Sequence, residues 1–167
     1  MTSSSFDVVM VGLDRSGKSS VANALTSPCN TPLKEYRPTA AVSHLAFPPD
    51  IRIIDTPGQP SQRSRCWGSC LQGTQVKGMI ACVDAMDHLR LALAWTEILG
   101  LSQRHPKVPL LVLFTYQDEP RALRVHEALD ILGDFAPFPV GAKVHMFAVS
   151  SLTGYGIDEV RQWVCAL

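Results

Sequence analysis

The chain is short of everything that marks a membrane, secreted or nucleic-acid-binding protein. Fifteen basic side chains stand against fifteen acidic ones, so the net charge is zero. A duplex-binding surface needs unopposed Lys and Arg to displace counterions, and a neutral chain has no such excess. No apolar run approaches the ~18 residues needed to cross a bilayer. Met1–Ser5 has neither a basic stretch nor an apolar one, so no secretory signal is read there. The five cysteines (Cys29, Cys66, Cys70, Cys82, Cys165) are odd in number and lack paired CxxC spacing. That excludes a disulfide framework and fits a reducing, cytoplasmic setting. Cys66 and Cys70 have no second Cys/His pair to complete a zinc site. There is no internal repeat, no low-complexity tract and no linker, so the 167 residues read as one domain, 1–167.

What the chain does have is alternation. Apolar strand-like runs at Phe6–Val11, Val42–Phe47, Ile51–Asp55, Met79–Val83, Leu110–Tyr116 and Val144–Val149 are separated by helix-like patterns at Ser19–Leu25, 89–100, Arg121–Leu132 and 157–167. Pro48-Pro49-Asp50 reads as the turn of an antiparallel hairpin. Strands apolar throughout require a sheet covered on both faces, which with alternating helices implies an α/β doubly wound domain.

Gly12-Leu13-Asp14-Arg15-Ser16-Gly17-Lys18-Ser19 fits G-x-x-x-x-G-K-[ST] between a strand and a helix. In that setting backbone N–H groups turn inward around an anion and the helix N-terminus adds positive charge. Lys18, expected to stand exposed to the loop, reaches the β- and γ-phosphates of a nucleoside triphosphate, and the Ser19 hydroxyl holds Mg²⁺. Downstream, Asp55 closes an apolar strand where its carboxylate meets the metal through water. Gly58 offers an N–H to the γ-phosphate, and Gln59 stands where it orients an attacking water.

These residues resemble small GTPases, and within them the Arf/Arf-like branch, of which the chain looks like a divergent member. The Leu13-Asp14 pair is similar to the Arf form of the phosphate loop, and Arg37-Pro38-Thr39 to its switch I. Trp67–Gln75 is similar to the helix after switch II, and Cys82–Asp87 to the strand 4 exit. The resemblance runs from about Val8 to Trp163. It implies a mostly parallel six-stranded sheet with one antiparallel hairpin strand and helices on both faces. It also implies GTP/GDP and Mg²⁺ as ligands. Asp14, Arg15, Ser16, Gly17, Lys18, Ser19, Ser20, Thr39 and Gly58 then lie on the phosphate side; Ser19, Thr39 and Asp55 hold the metal; Lys18 and Gln59 act in catalysis.

The base reader is matched by Thr115-Tyr116-Gln117-Asp118 in place of Asn-Lys-x-Asp, and the last motif by Ser150-Ser151-Leu152. Asp118 keeps the carboxylate that accepts from two guanine N–H groups, and Ser151 keeps a backbone N–H for the guanine carbonyl. Thr115, shorter than asparagine, is expected to bridge the loops less well. Tyr116 replaces a lysine whose stem covers the base, and an aromatic ring can stack there instead.

The effector-docking aromatics of the family fall at Val42, Ile54 and Cys70. Effectors, an exchange factor and a GTPase-activating protein (GAP) are nevertheless expected at these positions and the switches. Thr2 stands where myristoylation needs glycine, and Cys165 is third, not fourth, from the last residue, so no lipidation site is read. Pro60 pushes Gln59 toward extended backbone. The implied function is a monomeric, cytoplasmic guanine-nucleotide switch recruiting effectors in intracellular or ciliary membrane trafficking. Its Mg²⁺-dependent hydrolysis would be slow and aided by a GAP. The alternatives are a non-cycling nucleotide-binding scaffold and, against Gln59 and Asp118, a P-loop ATPase or kinase. Arg15 is either a cis contributor of transition-state charge or a solvated surface arginine.

Overall fold

A computed structural model describes residues 5–27, 39–133 and 138–167. Its order is β1 (Phe6–Val11), α1 (Lys18–Thr26), β2 (Ser43–Phe47), β3 (Ile51–Asp55), α2 (Pro60–Leu71), β4 (Val76–Asp84), a 3₁₀ turn (His88–Arg90), α3 (Leu91–Arg104), β5 (Leu110–Thr115), α4 (Val125–Leu132), β6 (Val144–Ala148) and α5 (Ile157–Cys165). The six strands form one sheet in the order β2-β3-β1-β4-β5-β6. Only the β2–β3 pair is antiparallel; β3–β1, β1–β4, β4–β5 and β5–β6 are parallel. This is the mostly parallel six-stranded sheet with one antiparallel hairpin strand that the resemblance implies.

The apolar strands split between two cores with a period of two, because successive side chains leave opposite faces. Val9, Val11, Met79, Ala81, Val83, Leu110, Val112 and Phe114 face α2, α3 and α4, where Trp67, Trp95, Ile98 and Leu132 cover them. Val8, Met10, Ile53, Ile80, Cys82, Leu111 and Leu113 face α1 and α5, covered by Val21, Leu25, Ile157, Val160 and Val164. The strands converge at their C-terminal ends on the loops after β1, β3, β5 and β6, where an open parallel sheet places its ligand.

Several boundaries differ from the sequence reading. β4 starts at Val76 rather than Met79, because Gly78 is filled from outside: a Cβ there would lie 2.5 Å from Leu167 Cδ1 and 3.1 Å from a Trp163 ring carbon. α4 starts at Val125, not Arg121; Arg124 is extended, and its backbone N–H donates to Glu127 Oε2 at 2.7 Å. α1 is closed by a side chain from α5. Arg161 donates to the carbonyls of Ala24 (2.6 Å), Leu25 (3.3 Å) and Ser27 (3.4 Å) while holding Asp158 at 2.7 Å. The proline-rich stretch read at Ser27–Pro38, including Arg37 and Pro38 of the switch I resemblance and Cys29, lies outside the described residues beyond Ser27.

Candidate nucleotide and metal site

The loop between β1 and α1 is built to approach other backbone closely. Gly17 caps α1 in the left-handed region (φ 79°), which a side chain would strain. Gly58, at the exit of β3, packs on the same loop: a Cβ there would sit 2.5 Å from the Leu13 carbonyl carbon and 2.6 Å from the Asp14 nitrogen. The two loops therefore touch backbone to backbone. Around them lies a cleft of about 900 Å³ lined by Asp14–Ser20, Thr39, Gly58–Ser61 and Tyr116.

Lys18 is not exposed, contrary to the sequence expectation. It is buried, and its Nζ donates to the Leu13 carbonyl at 3.0 Å. The loop curls back over its own lysine and supplies an oxygen in the place an anion would occupy. Burial lowers the Lys18 pKa, while Cys82, Asp55 and Asp14 oppose that shift.

Three oxygen-bearing side chains from three elements meet beside it. Ser19 Oγ donates to Asp55 Oδ2 at 2.6 Å and lies 2.8 Å from Thr39 Oγ1, which is itself 3.5 Å from Asp55 Oδ2. Asp55 Oδ1 is buried with no hydrogen-bond partner. Burial raises the Asp55 pKa, against the Ser19 bond, the Lys18 charge and the Thr39 bond. A buried carboxylate oxygen without a donor, next to two hydroxyls, is what a small hard cation satisfies, so these residues fit Mg²⁺. Among the described residues no group of three His, Cys, Asp or Glu could hold a metal, so the candidate is this hydroxyl–carboxylate set.

Gln59 borders the cleft as the N-cap of α2, extended at φ −67° and ψ 142°, with Pro60 as the first helical residue. The helix is fixed behind it: Trp67 Nε1 donates to the Pro57 carbonyl at 3.0 Å, and Arg63 pairs with Glu97 of α3 at 2.9 Å.

On the other side of the loop, Thr115 ends β5 buried, with its hydroxyl 3.0 Å from the carbonyls of both Ser16 and Val83. It thus does bridge β4, β5 and the phosphate loop, because the Ser16 carbonyl comes to it. Tyr116 has positive φ (61°), and its hydroxyl donates to the Arg15 carbonyl at 2.8 Å. Its ring passes 3.5 Å from where a Gly17 Cβ would be. Asp118 is exposed and accepts from Ser150 Oγ at 2.5 Å, which also takes the Thr153 N–H. Gln117 turns away: its amide donates to the Leu123 carbonyl and accepts from Arg124. Ser151 is half-buried and Leu152 is 63% exposed beside Ser150. Ser20 lines the cleft, and the Arg15 side chain is exposed.

Arg90 is the functional candidate the sequence reading missed. It donates through Nη1 to Asp14 Oδ1 (2.8 Å), through Nη2 to the Asp14 carbonyl (3.2 Å) and through Nε to Asp87 Oδ2 (2.5 Å). Asp87-x-x-Arg90, a turn-capping spacing, was the available signal; the reach to Asp14 was not. Of the expected docking positions, Ile54 is buried in the core, with Val42 and Cys70 packed half-exposed against the same cluster.

A sequence profile of the ADP-ribosylation factor family matches residues 1–167. ADP-ribosylation factor-like protein 6 of Caenorhabditis elegans is 28% identical, over 96% of this chain and 85% of that one. ADP-ribosylation factor-like protein 10 of Mus musculus is 27% identical, over 92% and 62% respectively. The Arl6 small GTPase of Trypanosoma brucei, solved with the nucleotide analogue GppNp, superposes with a TM-score of 0.80 at 25% identity, covering 98% and 96% of the two chains. The mammalian SRP receptor shares the fold with a TM-score of 0.78 at 17% identity.

Proposed function

Because the chain belongs to the ADP-ribosylation factor family of small GTPases, we propose that it is a guanine-nucleotide switch whose GTP-bound form recruits protein effectors in membrane trafficking. The convergence of Ser19, Thr39 and Asp55 beside a buried, unpartnered carboxylate oxygen carries this reading. Ser19, Thr39 and Asp55 would hold Mg²⁺, which when bound neutralises charge on the β- and γ-phosphates. Lys18 exchanges the Leu13 carbonyl for phosphate oxygens. The Gly58 N–H meets the γ-phosphate, and Thr39 carries that state to the chain around it. Asp118, oriented by Ser150, accepts from the guanine edge, and Tyr116 covers the base. Gln59, its backbone limited by Pro60, orients water for hydrolysis once a partner remodels switch II, which is why a GAP is expected. Effectors would read Val42, Cys70 and the switches; no helix among the described residues is long and apolar enough to cross a membrane.

The test is a melting panel with GTP, GDP, ATP and no nucleotide, each with Mg²⁺, followed by single-turnover hydrolysis. GTP and GDP should raise the melting temperature and ATP should not; equal stabilisation by ATP defeats the guanine reading. A second reading, a nucleotide-binding scaffold that does not cycle, is favoured by the rigid seating of α2 through Trp67 and Arg63. Hydrolysis rates that stay equal for wild type and Gln59→Leu, with and without cell extract as GAP source, would select it.

A further inference from the structure

α1, nine residues of sequence KSSVANALT, has few means of its own to stay a helix. Isolated helices shorter than ~12–15 residues are marginal in water. Its N-cap, Gly17, makes no side-chain bond, its first turn has no acid and its last turn has no base. Beyond Lys18 it buries Val21, Ala22 and Leu25. The cation that favours a helix C-terminus comes instead from α5. Arg161 Nη2 donates to the carbonyls of Ala24 (2.6 Å) and Ser27 (3.4 Å), and Nε donates to that of Leu25 (3.3 Å). The carbonyls just before them, of Ala22 and Asn23, accept from Thr26 Oγ1 (2.9 Å) and the Ser27 N–H (2.8 Å). Arg161 Nη1 donates to Asp158 Oδ1 at 2.7 Å, one turn back on α5, which fixes the direction of the guanidinium fork.

The opposite end of the same helix carries the site. Lys18 and Ser19 are the first two residues of α1, roughly 10 Å along the axis from Leu25 at ~1.5 Å per residue. Helix formation is cooperative, so fraying that begins in the last turn of so short a helix soon reaches Ser19. We propose that Arg161 is a positioning residue for the nucleotide site. By closing the far end of α1 from α5, it sets how long Lys18 and Ser19 stay in place, and with them a bound nucleotide. The inference rests on the nucleotide reading for its ligand; the anchoring contacts do not depend on it.

The experiment uses the full chain and two readouts. Backbone amide exchange over residues 22–27 is measured without ligand, and release of a fluorescent GDP analogue is measured with Mg²⁺. Arg161→Met should speed exchange there about tenfold or more, as expected for losing a hydrogen bond to a charged group, and should quicken release by a similar factor. Arg161→Lys keeps the charge at the helix end without the fork, so it should fall between the two, and it decides the matter should Arg161→Met not fold. Leu132→Ala, on α4 in the layer across the sheet, is the control for general destabilisation. It should lower the melting temperature and leave both readouts unmoved. Unaltered exchange overturns the proposal, as does unaltered release from a chain that binds the analogue, or release quickened as much by Leu132→Ala. A wild type that binds neither GDP nor GTP overturns the proposed function, an outcome separate from these.

Discussion

Lys18 and Asp55 show how much of the site is organised by charges taken out of water. The Lys18 ammonium is buried against a single carbonyl, so its interaction with the loop is replaceable by a phosphate, and its removal takes one favourable charge from buried Asp55. Lys18→Ala should therefore abolish triphosphate binding in a filter or polarisation assay while the melting temperature without nucleotide falls little. Unchanged affinity would remove the phosphate-loop assignment. For Asp55 the sign is set by burial, which raises its pKa above the ordinary 3.8. The native chain then holds a proton at pH values where the unfolded chain has lost it. Without metal, this group makes stability fall as pH rises from 3.8 through the raised value. A cation needs the carboxylate, so apparent Mg²⁺ affinity should rise with pH across the same window, and Asp55→Asn should flatten that dependence. Asp118 is exposed and held by one serine hydroxyl, which leaves its outer oxygen for a ligand. Asp118→Asn should turn selectivity toward xanthine nucleotides, whose extra carbonyl accepts from the new amide, as read by competition against GTP.

Among the elements, α2 is where reading the sequence ran short. Its twelve residues, PSQRSRCWGSCL, bury only Trp67 and Leu71, so no apolar stripe announces a helix. The helix is set instead by Pro60 at its first position, by the Trp67 bond to Pro57 and by the Arg63 pair with Glu97, 34 residues away. The central strands β1, β4 and β5 were legible for the opposite reason: covered on both faces, they are apolar over most of their length. The phosphate loop and Asp55 were legible as spacing and Thr39 only through the family resemblance, whereas Arg90 was not legible. Its contact with Asp14 spans 76 residues and depends on the 3₁₀ turn before α3. Pro60 yields a prediction at this scale. Pro60→Ala relieves the restriction on Gln59 and should raise intrinsic single-turnover hydrolysis roughly two- to fivefold. It should also cost about 0.4–1 kcal/mol in chemical denaturation, through added freedom of the unfolded chain. A rate that does not move would free Pro60 of any part in catalysis.

The described residues form one sheet between two apolar layers, with a cleft at the strand ends. The strands and the helices other than α2 followed from alternation. The closure of Gly78 by Leu167 and Trp163 did not, because it joins residues almost ninety positions apart. The sheet order leaves β2 and β6 as the rims, each five residues long, and β2 runs directly into Pro48-Pro49. Two copies meeting rim to rim would share a ladder of at most five residues, ended on one side by two residues that have no N–H to give. Concentrated solutions should accordingly sediment as a single monomeric species, and a growing dimer fraction would contradict this. The same shortness makes these two rims poor templates for fibril growth.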